Sequence, residues 1–272
     1  LHFCCMLDVA VDRTSLRPPL KWAGGKRWQV PYLRLLWEPH QHRRLVEPFC
    51  GGLAVTLGLG PERALLNDTN PHLVGFYRWL QRGLSIDRAL KNERTFFYKS
   101  RDRFNSLLRE GQADSQEAAS LFYYLNRTGY NGLCRFNRSG EFNVPFGRHK
   151  TIAYVLDFSE YSSVLSQWDF ENVDVEAISL EEGDFVYADP PYDVEFTQYA
   201  TGGFSWEDQE RTAVFLAKHK GPVVLVNQAT KRVERLYSRL GYRTRFFHKA
   251  PRRISCTGDR TPAKEIMATR NF

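Results

Sequence analysis

Phe185-Val186-Tyr187-Ala188-Asp189-Pro190-Pro191-Tyr192 joins an apolar run to a turn rich in hydrogen-bond acceptors. The first four residues read as a buried strand, and open α/β sheets place their ligands just beyond the carboxyl ends of such strands. Pro190 and Pro191 bring no N–H donors and stiffen the backbone, so the Asp189 carboxylate and the Pro190 carbonyl can only accept, from fixed directions. A site of that kind suits an NH2 group. The amine of adenine is a poor nucleophile because its lone pair is delocalised into the ring. Two acceptors gripping its hydrogens would draw the nitrogen towards tetrahedral geometry, with Tyr192 offering a flat face to the base. The same four residues serve equally as a strand-terminal acid and a Pro-Pro stop, and the rest of the chain decides.

Upstream, Leu45 to Val55 reads as a strand, the turn Pro48-Phe49-Cys50-Gly51-Gly52 and a helix start, and Ala64-Leu65-Leu66-Asn67-Asp68 as a second strand ending in an acid. This is half of a nucleotide-binding βαβ unit, in which such an acid takes a ribose hydroxyl pair. The full GxGxxG fingerprint is lacking, which favours a cofactor with adenosine but no phosphate chain. Before it, Leu20-Lys21-Trp22-Ala23-Gly24-Gly25-Lys26 sets glycines ahead of a helical stretch from Arg27 to Trp37. That is either a turn with a cap or a place where a ligand meets a helix N-terminus. Downstream, further strands are predicted at Asn172–Val175 and Pro222–Asn227. Helices are predicted at Trp206–Lys218, capped by Ser205, and at Val233–Leu240, closed by Gly241.

Between the two strand groups the pattern changes. Asn70 to Ser120 reads as helical, without strand alternation. The segment Leu125 to Lys150 alternates arginines with aromatics and amides around the turn signals Asn131-Gly132 and Ser139-Gly140. A hairpin of this composition can enter a DNA groove, where arginine grips guanine and leucine packs on a thymine methyl. Read without a ligand it is an exposed basic hairpin. The segment Lys249 to Arg260, with Arg252 and Arg253, is basic and glycine-punctuated, as a phosphate-contacting loop or a solvated one would be.

Composition agrees with a polyanionic partner: the 272 residues carry 38 Lys+Arg against 31 Asp+Glu, a net charge of +7 and a pI near 9.2. The five cysteines are odd in number and scattered, without CxxC spacing, so neither a disulfide framework nor a metal site is expected. No apolar run has the length of a membrane span. The chain opens on Leu1, leaving Met6 as a candidate start.

Taken in order, the motifs resemble those of the Dam-type DNA adenine-N6 methyltransferases, enzymes that use S-adenosylmethionine and act on GATC. Lys-Trp-Ala-Gly-Gly-Lys at 21–26, Glu-Pro-Phe-Cys-Gly-Gly at 47–52 and Asp-Pro-Pro-Tyr at 189–192 carry the resemblance. So do Tyr130 to Arg135 and Gly140 to Arg148, which look like the recognition hairpin of the GATC enzymes. The resemblance implies an α/β fold: a Rossmann-like methyltransferase core in residues 1–67 and 156–272, interrupted at 68–155 by a mainly helical target-recognition domain carrying the hairpin. It implies that Trp22, Lys26, Phe49, Gly51, Asp68, Asp174 and Asp189 bind the cofactor, and that Asp189, Pro190 and Tyr192 hold a flipped adenine. Lys21, Arg127, Tyr130, Asn131, Leu133, Arg135, Pro145 and Arg148 would face the DNA, Lys21 at the outer guanine, with Arg252 and Arg253 on phosphates. Two positions depart from the family pattern: Leu53 where a further glycine of the turn is common, and His149 where a tyrosine often stands. The implied partner is double-stranded DNA, and the expectation is a monomer without metal or membrane, in a prokaryotic cytoplasm or borne by a phage or plasmid. The other readings are an RNA or protein amide methyltransferase of the same fold, and a DNA-binding regulator without catalysis.

Overall fold

The computed structural model describes residues 16–86, 90–193, 204–250 and 263–272. Its strands are β1 (Leu45–Glu47), β2 (Ala64–Asn67), β3 (Trp168–Glu171), β4 (Phe185–Ala188), β5 (Val223–Gln228), β6 (Arg243–Ala250) and β7 (Ala263–Arg270). Its helices are α1 (Val30–Trp37), α2 (Thr56–Leu59), α3 (Pro71–Gln81), α4 (Arg94–Arg109), α5 (Gln116–Thr128), α6 (Ser159–Leu165), α7 (Trp206–Ala217) and α8 (Lys231–Arg239). The strands form one sheet in the order β3-β2-β1-β4-β5-β7-β6. β1 to β5 are parallel, and β7 enters antiparallel between β5 and β6.

Side chains alternate across these strands, which is why their short apolar runs are buried on both faces. Leu45, Leu66, Phe185, Tyr187, Val224 and Val226 join one apolar cluster with Trp37, Phe76, Tyr77 and Tyr123. Val46, Leu65, Val186, Ala188 and Leu225 join the other with Leu216, Val233 and Leu236. The seven-stranded sheet with helices on both faces is the architecture of a methyltransferase fold. The chain from β1 turns to β2 on one side while β4 lies on the other, so the sheet changes direction between β1 and β4. A ligand crevice is expected at the carboxyl ends of those two strands.

The long excursion from β2 to β3 carries α3 to α6. Its first helix is packed on the sheet: Arg78 donates to the Phe170 carbonyl at 2.7 Å, and Gln81 to those of Leu165 and Trp168 at 2.8 and 2.6 Å.

Three local expectations are corrected. The strand expected at Asn172–Val175 is β3, at Trp168–Glu171, because inward Trp168 and Phe170 alternate with outward residues there. Beyond it Val173 is taken by the Asn67 side chain, which accepts from its N–H at 3.0 Å and donates to its carbonyl at 3.1 Å. Strands β6 and β7 had no counterpart in the sequence reading. The hairpin of residues 125–150 is not a regular ladder: α5 extends to Thr128, and pairing is confined to single bridges, Phe136 to Phe142 and Gly129 to Phe146. The cap expected at Ser205 is present and forms a capping box, Ser205 Oγ accepting from the Asp208 N–H and Asp208 accepting from that of Ser205.

Candidate active site

Asp189 leaves the carboxyl end of β4 at the change of strand direction, with the Lys26 ammonium 3.1 Å from its Oδ2. Lys26 is itself buried. It donates to the Gly24 carbonyl at 2.8 Å and lies 4.4 Å from the centre of the Tyr192 ring. Burial pushes the Asp189 carboxyl up to about 6, and Lys26 pulls it back only in part. Asp189 Oδ1 is buried and has no hydrogen-bond partner. An acceptor in that state is ready for a donor from outside the chain, since leaving it unmet costs about 1–3 kcal/mol.

The turn that presents Asp189 is held by residues the sequence reading did not single out. Gln209 donates to the Pro191 carbonyl at 2.6 Å, and Asn227 accepts from the Asp193 N–H at 3.1 Å. The buried Asp193 carboxylate receives Thr230 Oγ1 at 2.9 Å and Arg232 Nε at 2.7 Å. Beneath the motif, fully buried Gln29 accepts from the Tyr187 hydroxyl at 2.9 Å and donates to Glu265 at 2.9 Å, tying the segment after Lys26 to β4 and β7. These partners lie far apart in sequence, so no local pattern marks them.

The predicted cofactor turn follows β1. Gly51, at φ +44°, donates its N–H to Asp68 Oδ2 at 3.2 Å and receives the Tyr77 hydroxyl on its carbonyl at 2.6 Å. A Cβ on Gly51 would lie 2.8 Å from Trp22 Nε1, and one on Gly52 2.8 Å from Trp22 Cβ. Glycine is therefore required for Trp22 to cover the turn. Asp68 also accepts from the Asn70 N–H at 2.9 Å, while burial raises its carboxyl above the usual range. Trp22 thus packs on the glycine turn that Asp68 braces, Lys26 pairs with Asp189, and Phe49 lies against Phe204 at 5.6 Å between ring centres. Asp174 has its carboxylate engaged by Arg211 at 2.5 and 2.7 Å.

Two features of the turn were not foreseen. Glu47, buried and bonded to the Thr56 hydroxyl, has its carboxyl pushed up to about 8 by burial, so it is mainly neutral at pH 7. Leu53 adopts φ +59°, a conformation that costs a side-chain residue about 1–2 kcal/mol. This is the position where the family commonly has glycine, and its full burial supplies the apolar contacts that offset the strain.

The predicted reading residues form a second surface. Lys21 Nζ donates to the Arg127 carbonyl at 2.8 Å and lies 3.2 Å from His149 Nε2. Burial, then Arg127, lowers its pKa. A Cβ at Gly132 would collide with the Lys21 side chain, so this glycine lets the two segments touch. Asn131 and Arg148 take positive φ of 53° and 51°. Tyr130 is exposed, and its N–H bonds the Pro145 carbonyl at 2.9 Å. Leu133 is half-buried. Arg127 donates to the Ala153 carbonyl at 2.7 Å, and exposed Arg135 donates Nε to Asn143 Oδ1 at 2.7 Å. Arg252 and Arg253 lie outside the described residues.

The charge pairing at Asp189 has a measurable consequence. If ionised Asp189 is the working form, activity is present above its pKa and falls as pH drops through about 6. Lys26 lowers that pKa, so Lys26→Gln should move the acid limb of kcat to higher pH. A limb left unmoved, in a pH series of single-turnover rates at saturating cofactor, would show that Lys26 does not set the Asp189 charge.

Among the described residues no helix is long and apolar enough to cross a membrane, and no group of His, Cys, Asp or Glu could hold a metal ion. A family model described as D12 class N6 adenine-specific DNA methyltransferase matches residues 22–251. The chain is 34% identical over 252 residues to a type II methyltransferase of Lactococcus lactis subsp. cremoris, covering 83% of this chain and 86% of the relative. It is 33% identical over 268 residues to the retron Ec67 DNA adenine methylase of Escherichia coli, covering 92% and 90%. With the DNA adenine methylase of Haemophilus influenzae the identity is 31% over 279 residues, covering 93% of each.

Proposed function

The chain belongs to the D12 class of N6 adenine-specific DNA methyltransferases, and from that premise we propose that its donor is S-adenosylmethionine and its target the adenine of GATC in double-stranded DNA. The observation that carries this reading is the partly buried Asp189 carboxylate, with one oxygen paired to Lys26 and the other, itself buried, without a hydrogen-bond partner, at the change of strand direction. When bound, S-adenosylmethionine supplies an electrophilic methyl group. Trp22, Gly51 and Asp68 would hold it, with Lys26 and Phe49 flanking. The contacts of Asp174 with Arg211 set it at the edge of this set.

The adenine must leave the stack to reach a site at the sheet edge. Tyr192 then offers its ring, and Asp189 Oδ1 with the Pro190 carbonyl accept the two N6 hydrogens. Asp189 would stabilise the positive charge that develops on the nitrogen as it attacks, and its unpartnered Oδ1 would accept the proton the nitrogen sheds. Excluded water makes both effects stronger than they would be in solution.

GATC preference rests on the 130–148 segment and Lys21, which put an arginine, a lysine, a leucine and a proline on one surface, a set suited to guanine edges and thymine methyls. Residues 68–155 act in this reading as the recognition insert, with a monomer on the duplex in a prokaryotic or phage-infected cytoplasm. Plasmid DNA treated with the enzyme and the donor should become resistant to nucleases blocked by adenine-methylated GATC and sensitive to one that requires it. Methyl incorporation without either change would move the target to another sequence.

A further inference from the structure

Buried asparagine side chains fasten the reading surface to the helices behind it. Asn126, on α5 and fully buried, accepts from the Lys21 N–H at 2.8 Å and donates to the Lys21 carbonyl at 2.8 Å. Asn105, on α4 and 8% exposed, accepts from the Phe142 N–H at 2.8 Å and donates to its carbonyl at 3.1 Å. Each amide therefore matches both backbone groups of one residue, as a neighbouring strand would, on segments that have no regular strand partner. Phe142 in turn bridges to Phe136, and Asn143, next to it, bonds Arg135 through both its side chain and its N–H. Lys21 sits on one clamp and Arg135 one step from the other.

We infer that Asn126 and Asn105 are positioning residues for sequence recognition, Asn126 setting the placement of Lys21 and Asn105 that of Arg135. The geometry favours this over a purely structural role because each clamp grips the backbone beside a different reading cation. The Asn126 clamp also ties the backbone of the segment leading to Trp22 and Lys26 to the insert. A small displacement of a cation from a base edge forfeits the directional part of its hydrogen bonds while leaving its charge near the duplex.

The inference rests on the reading that Lys21 and Arg135 contact guanines, and the test separates the two. Methylation rates are measured on hemimethylated duplexes, so that one adenine reacts, over every single substitution at the other GATC positions. The enzymes are the parent, Asn126→Ala, Asn105→Ala, the milder Asn126→Ser and Asn105→Ser, and Lys21→Ala and Arg135→Ala. The readout is the ratio of rates on GATC and substituted duplexes, in which the fraction of folded enzyme cancels. The expected result is a roughly tenfold loss of discrimination at the position relaxed by Lys21→Ala for the Asn126 variants, and at the position relaxed by Arg135→Ala for the Asn105 variants. Asparagine variants that slow all duplexes equally, when the cation variants do change the ratios, would overturn the inference alone. Cation variants that change no ratio would overturn both the inference and the reading beneath it.

Discussion

Asp189→Ala is expected to lower the methylation rate at least about 10³-fold while leaving much of the DNA affinity, because charge stabilisation at the reacting nitrogen is lost and contacts to the phosphate backbone are not. The variant removes the carboxylate paired with buried Lys26, so stability is measured beside activity. Asp189→Asn controls for lost stability by keeping the shape and one acceptor oxygen while losing the charge. It should retain the thermal transition of the parent more closely and still be a poor enzyme. Single-turnover rates, DNA binding by anisotropy and calorimetric Tm on both variants give the three quantities. Turnover near the parent value in either one would remove Asp189 from the chemistry and leave its buried, unpartnered oxygen without a role.

Arg135→Ala should relax the preference at one guanine by roughly ten- to a hundredfold in kcat/KM, the equivalent of about 1–3 kcal/mol for a bidentate guanine contact. The structure sharpens that expectation. Asn143 accepts on the Nε side of the guanidinium, its Oδ1 2.7 Å from Nε and its carbonyl 3.4 Å from Nη2, which leaves the Nη1 side for a base edge. A panel of single substitutions in GATC, run at two salt concentrations, distinguishes reading from mere attraction. A reading arginine changes the ratio between duplexes. An arginine on phosphate weakens all duplexes alike and flattens the salt dependence, which is the behaviour expected of Arg252→Ala or Arg253→Ala. Equal slowing of every duplex by Arg135→Ala would mean that residues 130–148 dock the DNA without reading it.

Part of this site was legible before any coordinates. The motif at 189–192, the glycine turn with its following acid, and the aromatic-arginine segment are each contiguous, and each carries its chemistry in residue type and spacing. A proline pair after an apolar run constrains the backbone wherever it occurs, and glycines at 51 and 52 announce a close approach even when the approaching group, here Trp22, is unknown. The parallel strands were legible because burial on both faces leaves an uninterrupted apolar run. β3 was misplaced because an edge strand buries alternate residues only, β6 escaped because exposed Arg243 and Arg245 break its pattern, and β7 because its apolar run, Ile266-Met267-Ala268, is short and follows the charged Lys264 and Glu265.

The sequence by itself determined the fold class and the family and named the candidate site residues, since these depend on local backbone constraints and on chemistry carried within short motifs. The tertiary structure alone decided how those motifs are held. Lys26 neutralises Asp189 across 163 positions of chain, Asn126 grips Lys21 across 105, and Gln29 reaches Glu265 across 236. A buried amide or carboxylate has no local signature, because the partner that repays its desolvation can come from anywhere in the sequence. For the same reason the raised pKa of Asp189 and the neutral Glu47 belong to the folded chain: both arise from burial, which exists only once the sheet and the insert have closed around them.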